Sequence, residues 1–157
     1  MPYVVLLHEH NLLSSVCYHH IITSSFILIC LQTKPCFTFD HPNRVKSNPD
    51  NSRYVHHDFI STTNTCIHGF AGYFTSWLYK DVDISIEPKT STPGMFSWFP
   101  IYFPLKEPMT VRCGDRIGID LWRRCGDRKV WYEWAVEGER TTTAIHNVCG
   151  SAYAINM

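Results

Sequence analysis

Apolar and polar side chains alternate along three short runs of this chain. Val82, Ile84 and Ile86 are interleaved with Asp81, Asp83, Ser85 and Glu87. Ile117, Ile119 and Leu121 are interleaved with Arg116, Gly118 and Asp120, and Val130, Tyr132, Trp134 and Val136 with Trp131, Glu133 and Ala135. A period of two belongs to an extended strand, whose successive side chains point to opposite faces. Pro88, Pro93, Pro104 and Pro108 punctuate between the runs, and Gly114-Asp115 and Gly126-Asp127 are turn dipeptides. This spacing predicts one all-β unit over residues 34–157, an antiparallel β-barrel or β-sandwich. In Gly69–Tyr79, Phe70, Phe74, Trp77 and Leu78 recur at helical spacing. The aromatics and two glycines of that stretch favour a strand, and a strand is predicted there.

The N-terminal part has another texture. No Lys, Arg, Asp or Glu stands between Glu9 and Lys34, and Ile21-Ile22 and Phe26–Leu31 are strongly apolar. A membrane helix needs roughly 20 mainly apolar residues; here His19, His20, Thr23, Ser24 and Ser25 interrupt the run. The positive leading region of a secretory signal is missing as well. Neither membrane insertion nor secretion is expected.

Composition narrows the function classes. With 157 residues, 45% apolar and 18% charged, the chain holds one ordinary core. Lys+Arg and Asp+Glu are both 14, so no net basic field draws it to nucleic acid. Seven cysteines, Cys17, Cys30, Cys36, Cys66, Cys113, Cys125 and Cys149, are scattered without a two-residue spacing. They read as small apolar residues of a reducing compartment rather than as metal or redox motifs. The histidine pairs His8/His10, His19/His20 and His56/His57 invite a metal reading. Adjacent histidines on a strand face opposite ways, however, and nothing supplies the remaining ligands beside His8 and His10. No metal site is expected.

The run Pro93–Pro104 places Phe96, Trp98, Phe99, Tyr102 and Phe103 among three prolines and a glycine. Rings held at a turn form either a buried corner or the wall of a binding groove. Longer landmarks resolve the choice. Cys36–Asn43, Ile67–Phe74, Pro93–Pro100, Val130–Val136 and Ala144–Asn147, in this order and spacing, resemble the C-terminal β-barrel of the type II protein arginine N-methyltransferases, which make symmetric dimethylarginine. The likeness runs from Lys34 to the C-terminus and includes Met1 to about Ser14, where Met1–Val5 looks like a strand of the same barrel.

The resemblance implies a domain incomplete at its N-terminal edge. Residues 1–14 would be a barrel strand segment, 15–33 an apolar insert foreign to the family, and 34–157 the barrel proper. It also implies a larger cytoplasmic and nuclear enzyme that uses S-adenosylmethionine and assembles as a homo-oligomer on arginine-containing protein substrates. Its TIM-barrel domain, and the Rossmann domain with the cofactor site and paired catalytic glutamates, would lie outside this sequence. By itself the chain would then bind no cofactor and hold no catalytic residue. Phe96, Ser97, Trp98 and Phe99 would wall the substrate-arginine groove, with Trp98 against the arginine stem. The alternative is a stand-alone β-sandwich module that grips a peptide or a sugar.

Other residues carry weaker signals. Glu87, Glu107, Asp120 and Glu133 read as solvated strand faces, although Glu133, between Tyr132 and Trp134, has the setting of a buried acceptor. Arg123-Arg124 with Arg128-Lys129 reads as an exposed basic hairpin. Trp122, Trp131 and Trp134 read as core and interface rings, and His146-Asn147 as a turn.

Overall fold

The computed structural model describes residues 2–8, 33–40 and 50–156. The foreign-insert reading of residues 15–33, apart from Thr33, falls outside them, as do His10, His19 and His20. Nine strands follow one another in the described chain: β1 (Pro2–His8), β2 (Thr33–Pro35), β3 (Arg53–Ile60), β4 (Thr65–Tyr79), β5 (Val82–Ser85), β6 (Ile101–Val111), β7 (Arg116–Cys125), β8 (Lys129–Gly138) and β9 (Ile155–Asn156). Every pairing is antiparallel. One sheet runs β2-β1-β4-β5, with β6 also on β4; the other runs β3-β7-β8-β9.

The two sheets face each other across a shared apolar layer. Ile67, Phe70, Phe103, Leu105, Met109 and Val111 come from the first; Phe59, Ile117, Ile119, Leu121, Trp134 and Val136 come from the second; Phe37 joins from the segment after β2. Full burial of one such side chain contributes about 1.5–3 kcal/mol. The architecture is thus an antiparallel sandwich, with no sheet closed on itself among the described residues.

The three alternating runs are strands, and so is the ambiguous stretch within β4. Over Gly69–Tyr73 that strand is covered on both faces, so alternation is blurred there and helical spacing arises by coincidence. Gly69 is required by a close approach. A Cβ there would stand 2.4 Å from the Phe103 carbonyl oxygen and 2.7 Å from the Tyr102 hydroxyl. The β4–β6 register shifts between Ile67 and Gly69 at this place.

Two expectations need correction. Pro104 and Pro108 do not separate strands but lie inside β6. Among the described residues β6 pairs only with β4, and a strand with one partner tolerates the missing proline N–H groups. In β5 the apolar set is not the buried set. Val82 is exposed, whereas Ser85 is fully buried and Glu87, just beyond the strand, is nearly so. Hydroxyl groups bond both side chains and offset part of the cost of burying them.

Candidate functional site

Ile101–Pro104 of the aromatic run open β6, and Pro93–Pro100 lie on the preceding β5–β6 loop. The first half of that loop is tied down by backbone and hydroxyl bonds. The Thr90 N–H donates to the Glu87 carbonyl at 3.0 Å, and the Thr92 N–H donates to the Ser85 carbonyl at 2.9 Å. The Ser85 N–H returns to Thr92 Oγ1 at 3.0 Å. Pro93 and Gly94 then redirect the chain; Gly94 sits at φ +82°, a left-handed conformation that favours glycine.

Beyond that turn, Phe96, Ser97, Trp98 and Phe99 are all exposed. Phe96 is 82% exposed, Trp98 57% and Phe99 59%, so none of these rings is a core residue. Trp98 meets Phe74 of β4 edge to face, with centroids 5.3 Å apart and planes at 68°. Phe74 thereby braces the indole, which stays largely exposed. From Thr90 to Leu105 the sequence holds no charged residue. The faces of these rings carry partial negative charge and attract cations, and a guanidinium stacks on them well. The loop can therefore hold a flat cation, but it presents no acid or base for proton transfer.

The acids noted in the sequence are dispersed. Glu107 is exposed on β6. Asp120 accepts the Tyr54 hydroxyl at 2.6 Å and lies 2.9 Å from His56 Nδ1, while His56 Nε2 lies 3.2 Å from Asp58. These partners, Asp120 above all, raise the His56 pKa despite partial burial, and Arg116 and then His56 lower that of Asp58. Glu87 and Glu133 are buried, not solvated. Glu133 accepts from Arg124 Nε at 3.0 Å, Trp131 Nε1 at 2.9 Å and the Cys149 N–H at 2.8 Å. Burial pushes its carboxyl upward, but the three donors prevail and hold it below the usual range.

The basic pair is likewise not a free hairpin. Arg123 donates to the Asn51 carbonyl at 2.7 Å and to Cys125 Sγ at 2.8 Å, and lies over Phe39. Arg124 pairs with Glu133. His146 stacks on Trp134 at 5.5 Å and its Nε2 accepts the Lys106 N–H at 3.1 Å. Asn147 does make the expected turn, in a left-handed conformation at φ 53°. Its side chain accepts the Ala152 and Tyr153 N–H groups and donates to the Tyr132 and Tyr153 carbonyls. Trp134 belongs to the core, whereas Trp122 is half-buried and stacks on Tyr54 at 5.3 Å.

The described cysteines form no disulfide with one another, but not all are small apolar fillers, since Cys113 and Cys149 are exposed. Burial pushes the Cys36 thiol up to about 11, which disfavours a reactive thiolate. His57 bonds the Pro35 carbonyl at 2.8 Å, away from the carboxylates of His56. Among the described residues no group of three or more His, Cys, Asp or Glu is placed to hold a metal ion, and no helix is long and apolar enough to cross a membrane.

S-adenosylmethionine needs an acceptor for its ribose hydroxyls and counter-charges for its amino-acid end. The uncharged Phe96–Phe99 loop supplies neither, so this site does not fit that cofactor.

Comparison with known proteins agrees with the landmarks. Residues 1–155 match the family model described as the PRMT5 oligomerisation domain. The chain is 45% identical over 157 residues to protein arginine N-methyltransferase 5 of Xenopus laevis, covering 100% of this chain and 22% of that protein. It is 49% identical over 128 residues to the enzyme of the same name from Oryza sativa subsp. indica, covering 80% of this chain and 19% of that one. The chain thus spans about a fifth of these relatives. The Trypanosoma brucei PRMT1 enzyme-prozyme heterotetrameric complex with AdoHcy shares the fold, with TM-score 0.58 and 13% identity over 99% of this chain and 57% of that one. A family model that takes in nearly the whole chain, and relatives at this identity, lead to one conclusion: the chain belongs to the PRMT5 oligomerisation-domain family.

Proposed function

We propose that this chain walls the substrate-arginine groove, and supports subunit assembly, of an S-adenosylmethionine-dependent enzyme that dimethylates protein arginine symmetrically. The observation that carries this reading is the loop Phe96–Phe99, uncharged and exposed, with Trp98 braced on one side by Phe74. The exposed indole takes the stem and plane of a substrate arginine, and the neighbouring rings exclude water and narrow the approach. Holding the guanidinium in one orientation lowers the entropy cost of methyl transfer.

The cofactor and the carboxylates that orient the reacting nitrogen are supplied by the Rossmann domain of the same polypeptide, with a TIM-barrel domain beyond it. Within that assembly the two sheets close into a β-barrel. Residues 1–14 and 34–157 form the domain, and 15–33 are an insertion into it. The heterotetrameric complex that shares this fold supports a role in subunit contacts. We assign the enzyme to cytoplasm and nucleus.

A methylation assay tests the division of labour. The purified chain, given S-adenosylmethionine and a glycine- and arginine-rich peptide, yields no methylarginine above background. Product formed by this chain alone contradicts the proposal.

A further inference from the structure

Hydroxyls gathered around the buried Ser85, at the start of the β5–β6 loop, form a directed chain. Ser85 Oγ lies 3.0 Å from Thr75 Oγ1 and 2.8 Å from Thr90 Oγ1, and accepts the Glu87 N–H at 3.1 Å. Thr90 Oγ1 donates to Glu87 Oε2 at 3.1 Å, and Thr33 Oγ1 donates to Glu87 Oε1 at 3.3 Å. A hydroxyl has one proton. That of Thr90 goes to the carboxylate, so Ser85 must donate to Thr90. The proton of Ser85 is then used, so Thr75 must donate to Ser85. These contacts run in one direction, Thr75 to Ser85 to Thr90 to Glu87. Ser85 Oγ then gives one hydrogen bond and receives two, which saturates it at full burial.

We infer that this hydroxyl chain, terminated by Glu87, is the anchor that positions Trp98, and that Thr75, Ser85, Thr90 and Glu87 are positioning residues for the aromatic loop. Adjacent residues of β4 hold the loop at two points. Thr75 holds its start through Ser85 and Thr90, while Phe74 holds Trp98. The Ile86 N–H also donates to the Phe74 carbonyl at 3.0 Å. A carboxylate only accepts, so it sets the direction of every donor behind it. Losing the Thr90 link leaves the proton of the buried Ser85 without its acceptor and favours rearrangement of the loop start. The relevance to substrate rests on the function proposed above; the anchoring itself does not.

Thr90 is exposed and provides a clean test. Thr90→Val removes the hydroxyl while keeping the shape, and Thr90→Ser keeps the hydroxyl. The chain is labelled with 5-fluorotryptophan, and the Trp98 fluorine signal is assigned by its loss in Trp98→Phe. In Thr90→Val the Trp98 signal narrows and shifts toward that of solvated fluorotryptophan; in Thr90→Ser it stays in place; the Trp134 signal of the core is unmoved in both. A stationary Trp98 signal in Thr90→Val overturns the inference. So does a Trp134 signal that shifts with it, which reports general loosening. Peptide kinetics of a full-length methyltransferase carrying the same variants separate the two claims. A shifted Trp98 signal with unchanged peptide KM upholds the anchor and defeats the substrate role of the loop.

Discussion

The Trp98 indole stands edge to face on Phe74, 5.3 Å between centroids, and joins an exposed loop to the long strand β4. Such a pair contributes about 0.5–1.5 kcal/mol beyond its buried area. Phe74→Leu keeps an apolar side chain but removes the ring. In a full-length enzyme carrying this domain, the substitution raises peptide KM and leaves S-adenosylmethionine affinity unchanged. Equal losses of both, by steady-state kinetics and cofactor titration, contradict this.

Glu133 joins β7, β8 and the turn before β9 through Arg124, Trp131 and the Cys149 N–H. Glu133→Ala leaves these donors without their acceptor and costs about 1–3 kcal/mol of stability in urea denaturation. Glu107→Ala, at an exposed position of β6, changes stability by less than about 0.5 kcal/mol. Equal effects at the two positions sink this ranking.

The cluster of Tyr54, His56, Asp58, Arg116, Asp120 and Glu137 gives stability a pH dependence. Asp120 and Asp58 raise the His56 pKa above its ordinary 6.5. The imidazolium therefore contributes fully below that value, and the contribution fades as pH rises through the folded-state pKa. Thermal unfolding across this range shows wild type losing stability relative to His56→Gln as pH increases. Parallel curves for the two proteins remove His56 from this role.

Gly69→Ala tests the crowding between β4 and β6. The added methyl meets the Phe103 carbonyl oxygen at 2.4 Å, a backbone atom that cannot swing away. A loss of about 2 kcal/mol or more in chemical denaturation is expected. Gly126→Ala, where the nearest atom is the Trp131 ring at 3.4 Å, is far milder.

Strands β7 and β8 were legible because one face of each enters the core. Ile117, Ile119 and Leu121, then Trp134 and Val136, are the residues their period selects. β5 obeyed the period yet misled about burial. Ser85 and Glu87 are polar in sequence, and their partners Thr90 and Thr92 look like ordinary turn residues. Only three dimensions bring those hydroxyls together. Pro104 and Pro108 misled for another reason, since an edge strand accepts what a central strand rejects. The aromatic loop was legible as an exposed feature through its landmarks, but its support on Phe74 required the fold.

The most direct measurement compares wild type with Trp98→Ala in a full-length enzyme carrying this domain, reading peptide methylation and S-adenosylmethionine binding in parallel. The account predicts that kcat/KM for the peptide falls by about tenfold or more while cofactor affinity holds. Unchanged peptide kinetics, or an equal loss of cofactor binding, would contradict it.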